Sequence, residues 1–248
     1  MRKAIVFGIF LVVFPAAAQR RAVRHPSAFP NPLSVLWIAA HPDDEAVAAP
    51  LLSLWCREQG ARCAFLVLTR GEAGGEAAVR AAEAGAAAEY FHADSIHLRL
   101  PDGGGAAVPQ WPPETAETIA RYIEAVRPDL VLTFDPRHGT TCHPDHRETG
   151  RLVLEAVERL TFTPEVVLLE SLATVSTQAL SIRSASPDAL RFDARSRWTE
   201  VANDMALHPS QFGPSLIAAA RNVPSAEQAV YLAHAAAILA LPVAGCAP

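Results

Sequence analysis

Five short apolar runs recur along this chain at spacings that each leave room for one helix. They are residues 33–40 (LSVLWIAA), 64–69 (AFLVLT), 95–100 (SIHLRL), 130–134 (LVLTF) and 165–171 (EVVLLES). Each is short, β-branched or aromatic, and bounded by turn residues, which reads as a buried strand. The stretches between them, 46–59, 76–92, 113–126 and 143–160, carry helical signals. Residues 113–126 begin with Pro and stop at Arg127-Pro128. Regular β-α alternation predicts an α/β fold: a Rossmann-like, doubly wound, mostly parallel sheet with helices on both faces. Such sheets bind ligands outside the carboxyl ends of their strands.

The first strand ends in His41-Pro42-Asp43-Asp44-Glu45. One imidazole and three carboxylates in five positions repel one another in a sealed core, so the turn either faces water or holds a cation. A second cluster, His143-Pro144-Asp145-His146, follows the fourth strand. His41 and Asp44 are three apart, as are His143 and His146. An imidazole with a carboxylate is a common zinc pair, and catalytic zinc takes three protein ligands and a water. His143 and His146 are both candidates for the third position, provided that the first and fourth strands are neighbours at the sheet's switch point.

On these residues the chain resembles the PIG-L/LmbE-type zinc-dependent de-N-acetylases. The resemblance rests on Ala40 through Glu45 and on His143-Pro144-Asp145-His146. Weaker support comes from Thr69 with Gly71 and Glu72, Arg80 with Glu83, Pro101-Asp102-Gly103, and His208 with Ser210-Gln211. It implies that His41, Asp44 and His146 bind Zn2+, with Fe2+ or Co2+ accepted by the same donors. It also implies Asp43 as general base, His143 as a cationic oxyanion stabiliser that assists leaving-group protonation, and Asp145 as the residue orienting or tuning His143. The implied substrate is an N-acetylated amino sugar or glycoconjugate.

Plainer readings stand beside these. Asp43 and Asp44 would also serve as helix caps, Asp102 as a turn former, and Arg80 with Glu83 as a helix-surface pair. His208, Ser210 and Gln211 are read equally as substrate contacts or rim packing. His92, His97, His138 and His234 have no partner pattern and are read as ordinary. Two rival functions compete with hydrolysis. A non-catalytic, metal-dependent carbohydrate-binding protein would have no need of Asp43. Phosphoryl transfer would call for an all-oxygen Mg2+ site rather than imidazoles.

The ends of the chain are read separately. Arg2 and Lys3, the apolar run 4–14 and Ala16-Ala17-Ala18 form a secretory signal peptide, residues 1–18. This reading implies export, to the periplasm or outside the cell, with no stable membrane insertion after cleavage. Residues 19–32 are a basic, proline-dotted linker, and 33–248 one catalytic domain. Cleavage removes two of the 21 basic residues and none of the 26 acidic ones, leaving 19 against 26 and a charge of −7. With no basic run, nucleic acid is not an expected partner. Oligomeric state is not legible. Export would permit disulfides among Cys56, Cys63, Cys142 and Cys246. Cys56 with Cys63 is the easiest pair, and free buried thiols are the alternative. Residues 196–207 and 225–239 are read as helices and 176–192 as one or two edge strands. The region after Phe212 is otherwise unplaced.

Overall fold

The computed structural model of the chain describes residues 34–105, 107–176, 179–238 and Cys246. The signal peptide and linker lie outside them. The expected strands form at β1 (Ser34–Ala39), β2 (Arg62–Thr69), β3 (Ala93–Leu100), β4 (Leu130–Phe134) and β5 (Glu165–Leu169). They pair in parallel in the order β3-β2-β1-β4-β5. The chain therefore steps outward from β1 to β3, then returns across β1 to lay down β4 and β5. The strand order reverses between β1 and β4, and both histidine motifs leave the sheet there.

Both faces of the sheet are buried, as the alternation in β1 requires. Val35, Trp37 and Ala39 join one core with Leu51, Leu52 and Trp55. Leu36 and Ile38 join a second core with Ile119, Ile123 and Val153. The second core rests on α3 (Thr115–Val126) and α5 (Pro144–Val157). The first is covered by α1 (Ala49–Leu52), α2 (Ala77–Tyr90), α6 (Thr199–Met205) and α7 (Pro214–Arg221).

Three elements depart from the sequence reading. The helix expected at 46–59 is broken into a 3-10 turn (Asp44–Val47), α1, and a π-helical stretch (Ser53–Glu58). Pro50 lies in the first turn of α1, where its missing N–H costs nothing. The helix expected at 225–239 is instead β9 (Ala229–His234), followed by the single turn α8 (Ala235–Ile238). β9 runs antiparallel to both β5 and β8 (Leu190–Asp193). The open edge of β5 supplies a ladder of hydrogen bonds that outweighs the helix propensity of alanine. The third is β6 (Ser171–Ser176) with β7 (Ala179–Ser184), a separate antiparallel hairpin; of the edge strands expected at 176–192, β8 alone lies at the edge of the main sheet.

All four cysteines pair, as Cys56–Cys63 and Cys142–Cys246. The first is the pair expected from sequence. The second ties Cys246 to the residue preceding His143.

The seating of α5 on β4 fixes the depth of the second histidine motif. Gly150 makes this possible: a Cβ there would lie 2.3 Å from the Phe134 carbonyl oxygen. Gly150→Ala must push helix from strand, and a loss of about 1–3 kcal/mol is expected. Urea unfolding measures it; an unchanged midpoint would mean that α5 shifts freely on β4.

Candidate metal centre

The loop after β1 is held in a shape that few residues adopt. Asp43 has φ 119°, and its side chain caps no helix. Asp44 turns back on its own loop instead: Oδ2 accepts the N–H groups of Ala40 at 2.9 Å and His41 at 2.7 Å. This leaves Oδ1 aimed at His146 Nε2, 2.9 Å away. The cap reading of both aspartates is thereby set aside.

His146 projects from the first turn of α5. Its Nδ1 lies 2.9 Å from the Gly139 carbonyl oxygen, with Thr141 Oγ1 at 3.1 Å. Its ring stacks on Phe134 at 4.3 Å. A carbonyl oxygen can only accept, so Nδ1 carries the proton and Nε2 presents its lone pair. His41 is oriented in the same manner. Its Nε2 lies 3.1 Å from Asp145 Oδ2 and 3.5 Å from Asp102 Oδ1. In the neutral ring this leaves the lone pair on Nδ1, which lies 3.2 Å from His146 Nε2 and 3.7 Å from Asp44 Oδ2.

Two imidazole lone pairs and a carboxylate oxygen thus converge on one point. They repel one another unless a proton or a cation lies between them. Donors about 2.1 Å from a tetrahedral ion stand roughly 3.4 Å apart; here His41 Nδ1 and His146 Nε2 are 3.2 Å apart, and the Asp44 carboxylate meets His146 Nε2 through Oδ1 at 2.9 Å and His41 Nδ1 through Oδ2 at 3.7 Å. A carboxylate behind each metal-facing imidazole, or a carbonyl in its place, is the usual support of such a ligand. His41 and His146 have one each. The donor set, two nitrogens and one oxygen, suits zinc or a similar transition ion. Without metal, protons carry the charge balance. Burial works against ionising His41, but hydrogen bonds to Asp102, Asp145 and Asp44 raise its pKa well above the usual value. Against its own burial, Asp44 is held well below the carboxylate range by His146 and then His41.

Asp43 lies beside this set without joining it. Its carboxylate meets Arg80 Nη2 at 3.2 Å. Burial and then the Asp44 charge push its pKa up to about 7, with Arg80 opposing. Arg80 also donates to the Pro42 carbonyl oxygen. It is 3 % exposed, so the reading of Arg80 with Glu83 as a helix-surface pair is corrected. Glu83 accepts from the backbone N–H and hydroxyl of Ser210. Glu45 Oε2 accepts the Asp43 N–H at 3.3 Å, while Oε1 lies 2.6 Å from His208 Nε2. His208 and Ser210 are thus braces under the Asp43 loop. Gln211 lines the cavity and donates to the Gly74 carbonyl.

His143 lines the cavity beside both other histidines, its ring centroid 4.7 Å from that of His41 and 4.9 Å from that of His146, and one ring nitrogen from each of the three lies close enough to hold an ion together. Its Nδ1 accepts the N–H of Asp145, so in the neutral ring Nε2 carries the proton. Burial, then the neighbouring His146 and His41, lower its pKa. These effects work against the cationic His143 of the sequence reading, while the charges of Asp145 and Asp44 favour it. The Asp145 carboxylate binds His41 and accepts the Gly103 N–H at 2.8 Å. Asp145 meets His143 through its backbone N–H, at 3.2 Å from Nδ1, and through the charge of its carboxylate, which favours the protonated ring.

Sequence reasoning missed a second polar cluster. His138, read as ordinary, is 1 % exposed, and its Nε2 lies 3.7 Å from Glu170 Oε2 and 3.9 Å from Asp135 Oδ2. Arg137 pairs with both carboxylates. The signal was available in Asp135-Pro136-Arg137-His138, but nothing in sequence points Glu170 toward it.

The PIG-L family, described as GlcNAc-PI de-N-acetylase, matches residues 36–157. A probable N-acetylglucosaminyl-phosphatidylinositol de-N-acetylase of Schizosaccharomyces pombe is 32% identical over 121 residues, covering 46% of this chain and 47% of that protein. A diacetylchitobiose deacetylase of Thermococcus kodakarensis is 31% identical over 160 residues, covering 61% and 59%. The chain thus spans about half the length of the curated relatives it matches. Among solved structures, N,N'-diacetylchitobiose deacetylase from Pyrococcus horikoshii superposes with a TM-score of 0.59 at 20% identity, covering 74% of this chain and 72% of that one. At that identity the likeness establishes the fold.

A metal at this centre will stabilise the fold. Zinc at about 100 times its Kd adds roughly 2.7 kcal/mol, read as a rise in melting temperature. His146→Ala should lose that rise and the bound metal while staying folded by circular dichroism. Zinc retained at one per chain in that variant would remove His146 from the ligand set.

Proposed function

We propose, on the premise that the chain belongs to the PIG-L/LmbE-type de-N-acetylase family, that it hydrolyses an N-acetyl group from an amino sugar or glycoconjugate. In this reading His41, Asp44 and His146 hold one zinc ion and Asp43 is the general base. One observation carries the reading: two oriented imidazole lone pairs and the Asp44 carboxylate converge on one point beside a carboxylate that is not among them. A binding protein would have no use for that fourth group. The names of the relatives, which act on N-acetylglucosamine-containing compounds, support the substrate class.

A bound zinc ion would supply Lewis acidity, acidifying water and polarising the amide carbonyl. The chain's own residues supply the rest. Asp43 takes a proton from the attacking water, whose oxygen forms a bond to the amide carbon. Arg80 keeps the Asp43 carboxylate oriented during that transfer. His143 donates its Nε2–H to the carbonyl oxygen as negative charge gathers there. Asp145 holds His41 in the tautomer that turns Nδ1 inward. When the C–N bond breaks, nitrogen leaves with the bonding pair. It takes up the proton that Asp43 received, giving a free amine and acetate.

Export completes the reading. Residues 1–18 have the pattern of a secretory leader, and the two disulfides support an oxidising compartment. Among the described residues no helix is long and apolar enough to cross a membrane.

Two variants test the assignment in zinc-loaded protein, with acetate release from N-acetylglucosamine derivatives as readout. Asp43→Asn keeps one zinc per chain and loses about 10²–10⁴ in kcat. Arg80→Met keeps zinc and loses about 10-fold to 100-fold, through a base no longer held in place. Near-normal kcat in Asp43→Asn would sink the base assignment.

A further inference from the structure

The cavity over the metal centre, about 370 Å³, has two unlike walls. One is the polar set already described. The other is apolar and comes from the half of the chain beyond residue 157. On β6, Ala173 and Val175 are two apart, so both point to one face. On β7, Leu180 and Ile182 do the same. The register pairs Ala173 with Ile182 and Val175 with Leu180, which gathers all four side chains into one patch. All four line the cavity. Val201 and Met205 of α6, with Phe212 below them, extend the same wall.

This wall is not simply core. Ile182 is 6 % exposed, but Val175 is 50 % exposed, one of three large hydrophobic residues so exposed among those described. The patch grades from a packed base to an uncovered rim that opens on the catalytic groups. A two-stranded hairpin outside the main sheet has little stability of its own. An uncovered apolar patch in a concave site, rimmed by polar groups, marks a ligand surface. The methyl of an acetyl group covers one such side chain. Of the seven apolar side chains, Ile182, Val201 and Met205 are already packed in the core, and Ala173, Val175, Leu180 and Phe212 remain open, more than that methyl can cover.

From this geometry we infer that the preferred substrate carries an alkyl chain of several carbons, seated against the β6–β7 hairpin and α6. The inference rests on the hydrolase reading above and names the substrate class for that same site. The chain's source is either a longer N-acyl group or an alkyl aglycone; the shared chemistry is a flexible apolar tail beside the scissile amide.

The experiment uses zinc-loaded enzyme and two substrate series. One is glucosamine with N-acetyl, N-butanoyl, N-hexanoyl and N-octanoyl groups. The other is N-acetylglucosamine with methyl, butyl, hexyl and octyl aglycones, used below micelle-forming concentrations. Burying each methylene should raise kcat/KM by roughly threefold to fourfold over the first several carbons, in one series. The series that rises identifies the source. In V175S/L180S the ratio of long-chain to short-chain kcat/KM should collapse toward one. Turnover that is flat or falling with chain length in both series would overturn the inference and leave the hydrolase reading intact. If no member is turned over, the hydrolase reading fails. Calorimetric binding of hexyl glucoside against methyl glucoside, which needs no turnover, then decides the apolar site: equal affinities overturn it, and at least about tenfold tighter hexyl binding upholds it.

Discussion

The parallel pairing of β1 with β4 is the constraint on which the site depends. Val35 pairs with Leu130, Leu36 with Val131 and Trp37 with Leu132. These six residues carry no chemistry. Their register decides that the turn after β1 and the helix after β4 emerge side by side, with residues 105 positions apart brought within hydrogen-bond distance. Slipping a strand by one residue would exchange its two buried faces. Neither motif could bind a metal alone, because His41 and Asp44 supply two donors and His146 the third. The sheet closes the set, and it does so at the one place where strand order reverses.

Around that junction the dominant energetic problem is charge. Asp43, Asp44, Asp102 and Asp145 surround His41, His143 and His146, with Arg80 the nearest fixed cation. Without metal, His41 is pulled toward its charged form, while Asp43 is pushed toward neutrality. Both shifts reduce the same excess of negative charge. A divalent cation answers it more completely, because it brings two charges and engages both facing lone pairs and the Asp44 carboxylate at once. The strained backbone at Asp43 belongs to the same account. Its φ of 119° is held by the carbonyl of Pro42 on Arg80 and by its own N–H on Glu45. Glu45 is in turn backed by His208. The base is therefore positioned by groups that never touch the ion.

What was legible in the sequence was whatever depends on neighbours along the chain. The five parallel strands, the two histidine motifs and the Cys56–Cys63 pair all follow from local spacing. What was not legible depends on partners far away in sequence. Residues 229–234 read as helix because alanine favours one, and only the open edge of β5 makes them a strand. Arg80 and Glu83, one helical turn apart, look like a surface pair until the Asp43 loop and Ser210 are laid over them. His138 has no motif, yet Glu170 from the end of β5 turns it into part of a buried cluster. Asp145 shows a finer limit: its motif placed it at the site, but whether its carboxylate serves His143 or His41 is decided by side-chain direction.

The chain also divides its labour along its length. The family match ends at residue 157, and every group proposed to meet the ion or the reacting bond lies before that point. Residues 158–238 bring a different set: Glu170, the β6–β7 hairpin, α6, and the 208–211 segment that braces the Asp43 loop. Of these, the hairpin, α6, Gln211 and Phe212 line the space above the proposed metal centre. A sheet that fixes chemistry at the ends of β1 and β4 leaves the edge beyond β5 free to vary without disturbing the donors. The apolar hairpin, a separate sheet, follows β5 in the chain and leads back to β8 and β9 on that edge. The alkyl tail proposed for the substrate would therefore be selected by residues whose replacement leaves the proposed ligands, their supporting carboxylate and carbonyl, and Asp43 where they are.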